Sequence, residues 1–212
     1  MLRTLYLIFA CCAVLLVAPK VMAAEANPKT ILVWGDSLSA AYGIPLEKGW
    51  VSLLQTQLGS SYQISNGSIS GETTAGGLSR FPKALSDTKP DYVLFELGAN
   101  DGLRGIDPAV TRQNLTQMIQ LAQASHAKVV LIGIKVPPNY GAAFTEKFEA
   151  VFSDLAKQYS LPFVPFLLEG VADNWDLVQA DGLHPTAEAQ PKLLANVWPV
   201  LETVLTPSAK TH

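Results

Sequence analysis

The sequence predicts an α/β domain, a three-layer α/β/α sandwich around a central, mostly parallel sheet of five strands. Short apolar segments alternate along the chain with longer amphipathic segments, as they do in proteins built from βαβ units. Residues 128–134 are almost uninterrupted Val, Leu and Ile, which is expected of a central parallel strand that is covered on both faces. The chain has no internal repeat and no break in composition that would indicate a second domain.

Four further apolar segments complete the predicted sheet. These strands are expected at residues 30–34, 62–65, 92–96 and, at an edge of the sheet, 162–164. Two of them run directly into polar motifs, Gly-Asp-Ser at 35–37 and Gly-Ala-Asn-Asp at 98–101. In a parallel sheet, ligands bind beyond the carboxyl ends of the strands, so we expect these two motifs to face one another.

Five amphipathic segments are predicted to be the helices that cover the sheet. They are residues 50–58, 74–85, 108–124, 144–159 and 186–204. In the third of them, Leu115, Met118, Ile119 and Ala122 fall on one face at helical spacing, and Pro108 lies in the first turn.

The first 24 residues are predicted to be a secretory signal peptide and not part of the domain. Arg3 is followed by an unbroken apolar run over residues 5–18 and then by small alanines, which is the pattern of such a signal. The run is shorter than the roughly 20 residues that a membrane span needs. An uncleaved anchor and a lipoprotein acylated at Cys11 are the alternatives. We therefore expect residues 25–212 to form one periplasmic or secreted domain, without stable membrane insertion.

Composition excludes several classes of function for that domain. Both cysteines, Cys11 and Cys12, lie in the predicted signal, so the domain has no disulfide, thiol nucleophile or cysteine metal site. The net charge of the chain is −3, and the charges are scattered. A nucleic-acid partner is therefore not expected, because it would require a clustered basic face.

Ser37 is the first candidate for chemistry. It directly follows a predicted buried strand, in a turn that resembles those that expose a nucleophile above an α/β sheet. The Gly-x-Ser-x-Gly signature of α/β-hydrolases is absent from the chain. Ser and Asp also commonly cap helices, so the motif by itself leaves both interpretations open.

A serine nucleophile needs a base, and only three histidines are available. His212 is the last residue, and His126 lies in an ordinary turn between a predicted helix and strand. His184 lies just ahead of the last predicted helix, and Asp181 precedes it by three residues, close enough to bond the imidazole Nδ1–H. Capping of the last helix is the alternative role of either residue, but His184 is the best candidate for the base.

Gly71 and Asn100 are candidates for an oxyanion hole, the set of donors that stabilises a developing negative oxygen. Gly71 lies in a loop before a predicted helix and would present a backbone N–H. Asn100 follows a predicted buried strand and would add a side-chain amide. Each has a structural alternative, a turn glycine for Gly71 and an Asx-type turn for Asn100.

The chain resembles the SGNH (GDSL) hydrolase family in four sequence blocks, which occur in that family's order and over nearly the whole domain. These blocks are residues 35–38, Gly71, residues 98–101 and residues 181–185. The resemblance implies the flavodoxin-like SGNH hydrolase fold, with Ser37 as nucleophile, His184 as general base and then acid, and Asp181 orienting His184. It also implies an oxyanion hole made by the N–H groups of Ser37 and Gly71 and the side chain of Asn100. No cofactor and no metal are implied.

The motifs around 35–40, 99–105, 138–141 and 181–185 are similar to those of the bacterial periplasmic thioesterase I branch, also called lysophospholipase L1 or arylesterase. That likeness implies hydrolysis of a small-molecule acyl ester, thioester or lysophospholipid, and we expect a monomer. It also suggests a substrate-binding role for Leu103, Arg104, Gly105, Ile106, Pro138 and Tyr140.

Two alternatives to this activity remain open at this point. A carbohydrate O-acetylesterase of the same family would use the same blocks. A non-enzymatic, flavodoxin-like module would hold a phosphate at the Gly-Asp-Ser loop instead. The chain has no glycine-rich phosphate fingerprint, which argues against the binding module.

Overall fold

A computed structural model describes residues 27–206. The predicted signal peptide at 1–24, with Cys11, and the terminal His212 lie outside the described residues. Five strands form one sheet in which every pairing is parallel: β1 (Lys29–Gly35), β2 (Tyr62–Asn66), β3 (Tyr92–Glu96), β4 (Lys128–Ile132) and β5 (Phe163–Val164). Their order is β2-β1-β3-β4-β5, so β5 lies at an edge as predicted.

Helices cover both faces of the sheet, which confirms the predicted α/β/α sandwich. They are α1 (Trp50–Leu58), α2 (Thr74–Thr88), α3 (Ala99–Leu103), α4 (Pro108–Ala124), α5 (Ala142–Gln158) and α6 (Gln190–Leu205). Side chains alternate across the pleat of β1. Ile31 and Val33 pack with α1 and α6, whereas Leu32 and Trp34 pack with α2, α4 and α5.

The differences from the predicted elements include two boundaries and one additional helix. The strand expected at 128–134 ends at Ile132. The Gly133 N–H still bonds the Val164 carbonyl, but the Gly133 carbonyl accepts the N–H of Leu167, which lies beyond β5. The last helix begins at Gln190 and not at 186, since the residues before it form tighter i→i+3 turns, in which the Ala189 N–H bonds the Thr186 carbonyl and the Gln190 N–H bonds the Ala187 carbonyl. The short helix α3 was not predicted, because five residues give no helical periodicity to detect.

The strand order determines where a ligand site can form. The chain passes from β1 outward to β2 and then back across β1 to β3, so the order reverses between β1 and β3. In open α/β sheets the crevice at such a reversal, beyond the carboxyl ends of the strands, is the usual binding place. The segment after β1 begins at Asp36 and the segment after β3 leads to Asn100, so both predicted polar motifs lie at this crevice.

Candidate active site

Ser37 lies in a tight turn at the carboxyl end of β1. The Ala40 N–H bonds the Asp36 carbonyl at 3.0 Å, and the Leu38 N–H bonds Asp36 Oδ1 at 3.1 Å, which closes the turn around the serine. Gly35 permits this exit, because a Cβ at that position would lie 2.6 Å from Glu96 Oε2. Ser37 itself is half-buried and lines a cavity above the sheet.

His184 and Asp181 share one short loop between a 3-10 turn at Trp175–Leu177 and α6. The base of this loop is closed by an antiparallel bridge between Val178 and Pro185. Asp181 Oδ1 accepts the N–H groups of Leu183 at 2.9 Å and His184 at 3.0 Å, and its Oδ2 lies 2.6 Å from His184 Nδ1. The aspartate therefore fixes both the backbone and the ring of the histidine.

The turn after β1 and the loop before α6 bring Ser37 and His184 into contact. His184 Nε2 lies 2.8 Å from Ser37 Oγ, although the residues are 147 apart in sequence. Hydroxyl, imidazole and carboxylate thus form one hydrogen-bonded series from Ser37 through His184 to Asp181. The backbone N–H of His184, followed by smaller contributions from its side chain and from Leu183, lowers the pKa of Asp181 to about 2. The carboxylate is ionised at neutral pH and can pair with an imidazolium.

The two candidate oxyanion donors, Asn100 and Gly71, lie on separate segments of the chain. Asn100 is the second residue of α3 and lines the same cavity as Ser37. It donates one Nδ2–H to Asp36 Oδ2 at 3.3 Å. Since an amide nitrogen carries two hydrogens, the second remains for another acceptor. Gly71 has a φ of +79°, a conformation that favours glycine, and Arg104 Nη2 donates to its carbonyl at 2.9 Å. Gly71 does not line the cavity described here.

Two carboxyl groups, those of Asp36 and Glu96, are fully buried beneath the turn that carries Ser37. Burial raises the pKa of Asp36 to about 7, against the opposing effect of the Leu38 N–H. Burial also raises the pKa of Glu96 well above its usual value of 4.5, and the charge of Asp36 raises it further. Glu96 Oε2 accepts the Ser39 hydroxyl at 2.6 Å, while Oε1 has no hydrogen-bond partner among the described residues. Glu96 was read from the sequence only as the end of a strand.

This arrangement predicts that Glu96→Gln stabilises the protein above neutral pH. A carboxyl whose pKa is raised on folding contributes stability that is present below its unfolded pKa and lost as pH rises through the folded one. Glutamine keeps an oxygen for the Ser39 hydroxyl and cannot ionise. We expect the Tm of Glu96→Gln at about pH 8 to exceed wild type by a few degrees, since ~1 kcal/mol corresponds to about 2–4 °C at this size.

Thermal unfolding between about pH 4 and 8 measures this effect, and the decline of Tm with rising pH should be shallower in the variant. Exposed Glu146→Gln is the matched control and should follow wild type. A Glu96→Gln protein whose Tm falls as steeply with pH as that of wild type would show that folding does not raise the pKa of Glu96.

The cavity above Ser37 has a volume of about 680 Å³. Of the predicted substrate-binding residues, Leu103 and Pro138 line it, whereas Arg104, Gly105, Ile106 and Tyr140 do not. Arg104 bonds Gly71 as described, and the Tyr140 hydroxyl donates to the Leu103 carbonyl at 2.8 Å. These two side chains therefore hold the segment that carries Leu103, and their contact with a substrate stays a prediction.

Most of the cavity wall was not predicted from the sequence. The lining residues that were not predicted are Leu38, Ala99, 133–136, Thr145, Glu149, 166–170, Ala172, Asp173, Trp175, Val178, Gly182 and Leu183. Two of these groups follow β4 and β5, so the rule that sites lie beyond strand carboxyl ends would have indicated them. Trp175 is 80% exposed and gives no periodic signal.

Two kinds of feature are absent from residues 27–206. No helix in that range is long and apolar enough to cross a membrane. No group of three or more His, Asp or Glu side chains there is arranged to hold a metal ion.

Comparison with known proteins assigns the chain to a family. Residues 33–190 match the GDSL-like lipase/acylhydrolase family. The chain belongs to this family. It is 51% identical over 184 residues to esterase TesA of Pseudomonas aeruginosa, covering 85% of this chain and 92% of that protein. It is 43% identical over 162 residues to thioesterase 1/protease 1/lysophospholipase L1 of Escherichia coli K12, covering 76% of this chain and 78% of that protein.

A solved structure extends this similarity to the fold. The crystal structure of TesA superposes with a TM-score of 0.81 at 51% identity, over 83% of this chain and 99% of that one. The family match begins within β1 and ends at Gln190, the first residue of α6. It therefore contains Ser37, Asn100, Asp181 and His184.

Proposed function

We propose that this chain is a serine hydrolase that cleaves carboxylic esters and thioesters through an acyl-enzyme on Ser37. The observation that carries the proposal is the 2.8 Å contact between Ser37 Oγ and His184 Nε2, with Asp181 2.6 Å from the other ring nitrogen. A hydroxyl is a weak nucleophile unless a base accepts its proton, and this contact provides that base.

The first half-reaction forms the acyl-enzyme. Ser37 Oγ attacks the carbonyl carbon of the ester or thioester while His184 Nε2 takes the hydroxyl proton. Asp181 stabilises the resulting imidazolium through Nδ1–H. The tetrahedral oxyanion accepts hydrogen bonds from the N–H groups of Ser37 and Gly71 and from Asn100 Nδ2. His184 then gives its proton to the alkoxide or thiolate as the bond to the carbonyl carbon breaks, and the alcohol or thiol leaves.

The second half-reaction regenerates the enzyme. A water molecule takes the place of the departed alcohol or thiol, and His184 removes one of its protons as the oxygen attacks the acyl carbon. The same donors hold the second oxyanion. When this intermediate collapses, the proton on His184 returns to Ser37 Oγ and the free acid is released.

The size and lining of the cavity favour a substrate with an acyl chain over an acetyl group alone. The wall near Ser37 includes the apolar residues Leu38, Leu103, Ile134 and Val136, within a volume of about 680 Å³. Burial of an acyl chain there gains about 0.8 kcal/mol for each CH₂ removed from water. The names of the relatives support the same substrate class, since they are an esterase and a thioesterase/lysophospholipase.

We also propose that the enzyme acts outside the cytoplasm, after removal of residues 1–24. The basic start, apolar run and small residues of that segment support export, and the absence of cysteine after residue 24 suits an oxidising compartment. We propose activity as a monomer, since Ser37, His184 and Asp181 contact one another within one chain.

A hydrolysis panel tests the substrate class, with Ser37→Ala as the blank. We expect p-nitrophenyl esters and acyl-CoA thioesters of medium chain length to have kcat/KM at least ~10-fold above that of p-nitrophenyl acetate, because each buried CH₂ contributes to transition-state binding. Lysophospholipid and an acetylated sugar complete the panel. Faster cleavage of the acetylated sugar than of every longer acyl substrate would contradict the proposal and favour a carbohydrate O-acetylesterase.

A further inference from the structure

The loop that carries His184 is rigid within itself, but its placement over Ser37 is a separate problem. Asp181 bonds only groups of its own loop, namely the N–H groups of Leu183 and His184 and the imidazole. These bonds would survive if the whole loop moved as a unit. Something else must therefore hold the imidazole at 2.8 Å from the serine.

Gln179 makes such a connection. Its Nε2 donates to the Tyr42 carbonyl at 2.9 Å and to the Pro185 carbonyl at 2.9 Å. Pro185 directly follows His184, and Tyr42 lies in the turn that follows Ser37, where its own N–H bonds the Ser37 carbonyl. Among the described residues, two hydrogen bonds join segments 36–44 and 177–186. One is the bond from Gln179 to the Tyr42 carbonyl, and the other is the contact between Ser37 and His184.

The neighbouring backbone is shaped to receive this side chain. Gly43 has a φ of +74°, and a Cβ there would lie 2.3 Å from Gln179 Oε1. The glutamine amide therefore packs directly on the glycine backbone. On the other side, the Tyr42 ring lies 4.4 Å from the His184 imidazole between centroids, at an interplanar angle of 40°. Tyr42 thus contacts the base with its ring and holds the base's loop through its carbonyl.

We propose that Gln179 is a positioning residue that holds His184 at hydrogen-bonding distance from Ser37 by joining the two loops that carry them. It does not touch the substrate and takes no proton. Both hydrogens of its amide are used, one on each loop, so its loss frees the His184 loop without disturbing the bonds of Asp181. This inference rests on the proposed function, because it assigns His184 as the base for Ser37.

The test is Gln179→Met, which keeps the length of the side chain and removes both donors. We expect kcat for a p-nitrophenyl ester to fall about 10- to 100-fold, since displacement of a catalytic group by about 1 Å can cost that much. The KM should change by less than about threefold, because the cavity is intact. The second-order rate of Ser37 labelling by a small fluorophosphonate should fall by the same factor as kcat, since it reports the reactivity of the serine without an acyl chain.

Gln55→Met is the matched control. Gln55 also donates its Nε2 to two backbone carbonyls, those of Gly59 and Tyr62, at 3.1 Å and 3.0 Å, but it lies between α1 and β2, away from the site. It should lower Tm without changing the labelling rate. Gly43→Ala provides a second variant if Gln179→Met does not fold. Its added Cβ would displace the Gln179 amide from its position on the Gly43 backbone. Its effect should not add to that of Gln179→Met, because both break one connection.

Three outcomes would overturn the inference. They are a labelling rate of Gln179→Met within about twofold of Gln55→Met, a loss confined to KM, and a folded Gly43→Ala with normal labelling. The proposed function fails separately, if Ser37→Ala retains hydrolysis. A dead Ser37→Ala protein together with a fully reactive Gln179→Met protein would therefore reject the positioning role alone.

Discussion

Replacement of Ser37 by alanine is expected to lower kcat/KM for p-nitrophenyl esters by at least ~10⁴-fold, and replacement of His184 by alanine to cost nearly as much. The hydroxyl and the imidazole act as one unit through their 2.8 Å contact, so either loss removes the activated nucleophile. The double variant should therefore be no worse than the single ones by more than about tenfold. Initial rates across a range of ester concentrations measure all three proteins.

Two controls separate this effect from general damage to the fold. Ser153→Ala removes an exposed serine on α5, and His126→Asn replaces a histidine at a φ of +65°, a conformation that asparagine tolerates. Both should retain wild-type rates. Losses of Ser37 and His184 that multiply in the double variant would show that the two residues act independently, and the proposed mechanism would then be wrong.

Replacement of Asn100 by alanine is expected to lower kcat by about 10²–10³-fold with little change in KM, the usual cost of one oxyanion-hole donor. Asp36 accepts one amide hydrogen of Asn100, which orients the other hydrogen toward the oxyanion. Because the oxyanion exists only after attack, this bond affects kcat and not KM. Asn100→Asp should be similarly impaired, because a carboxylate cannot donate. Asn27→Ala is the control, an exposed asparagine just before β1, at the opposite end of the sheet.

The contradicting result for Asn100 is a loss expressed in KM alone. That outcome would place the side chain in ground-state binding, since removal of an interaction made only in the transition state lowers kcat. It would leave the oxyanion to the backbone N–H groups of Ser37 and Gly71. Equal kcat values in Asn100→Ala and Asn27→Ala would lead to the same conclusion.

The sequence was sufficient for the parts of the site that depend on topology. Ser37 follows β1 and Asn100 follows β3, and the carboxyl ends of neighbouring parallel strands meet at one edge whatever their side chains. Asp181 and His184 are three residues apart, so their pairing is local and was also predictable. The meeting of Ser37 and His184 followed from elimination, because only one well-placed histidine was available.

What the sequence could not provide is the surroundings of those residues. Glu96 reads as one more residue of an apolar strand, and only the register that sets it opposite Gly35 reveals a buried acid beneath the turn that carries Ser37. Gln179 is an unremarkable loop residue until the fold brings it to Tyr42, 137 residues away. Contacts of this kind depend on how loops pack after the sheet has formed, and no local pattern encodes them.

Covalent labelling identifies the nucleophilic residue without depending on any one substrate. The purified protein is treated with a fluorophosphonate, its intact mass is measured, and the adduct is located by peptide mapping. We predict one adduct per chain, on Ser37, with labelling abolished in Ser37→Ala and strongly slowed in His184→Ala. An adduct on another residue, or a fully active protein that forms none, would contradict it.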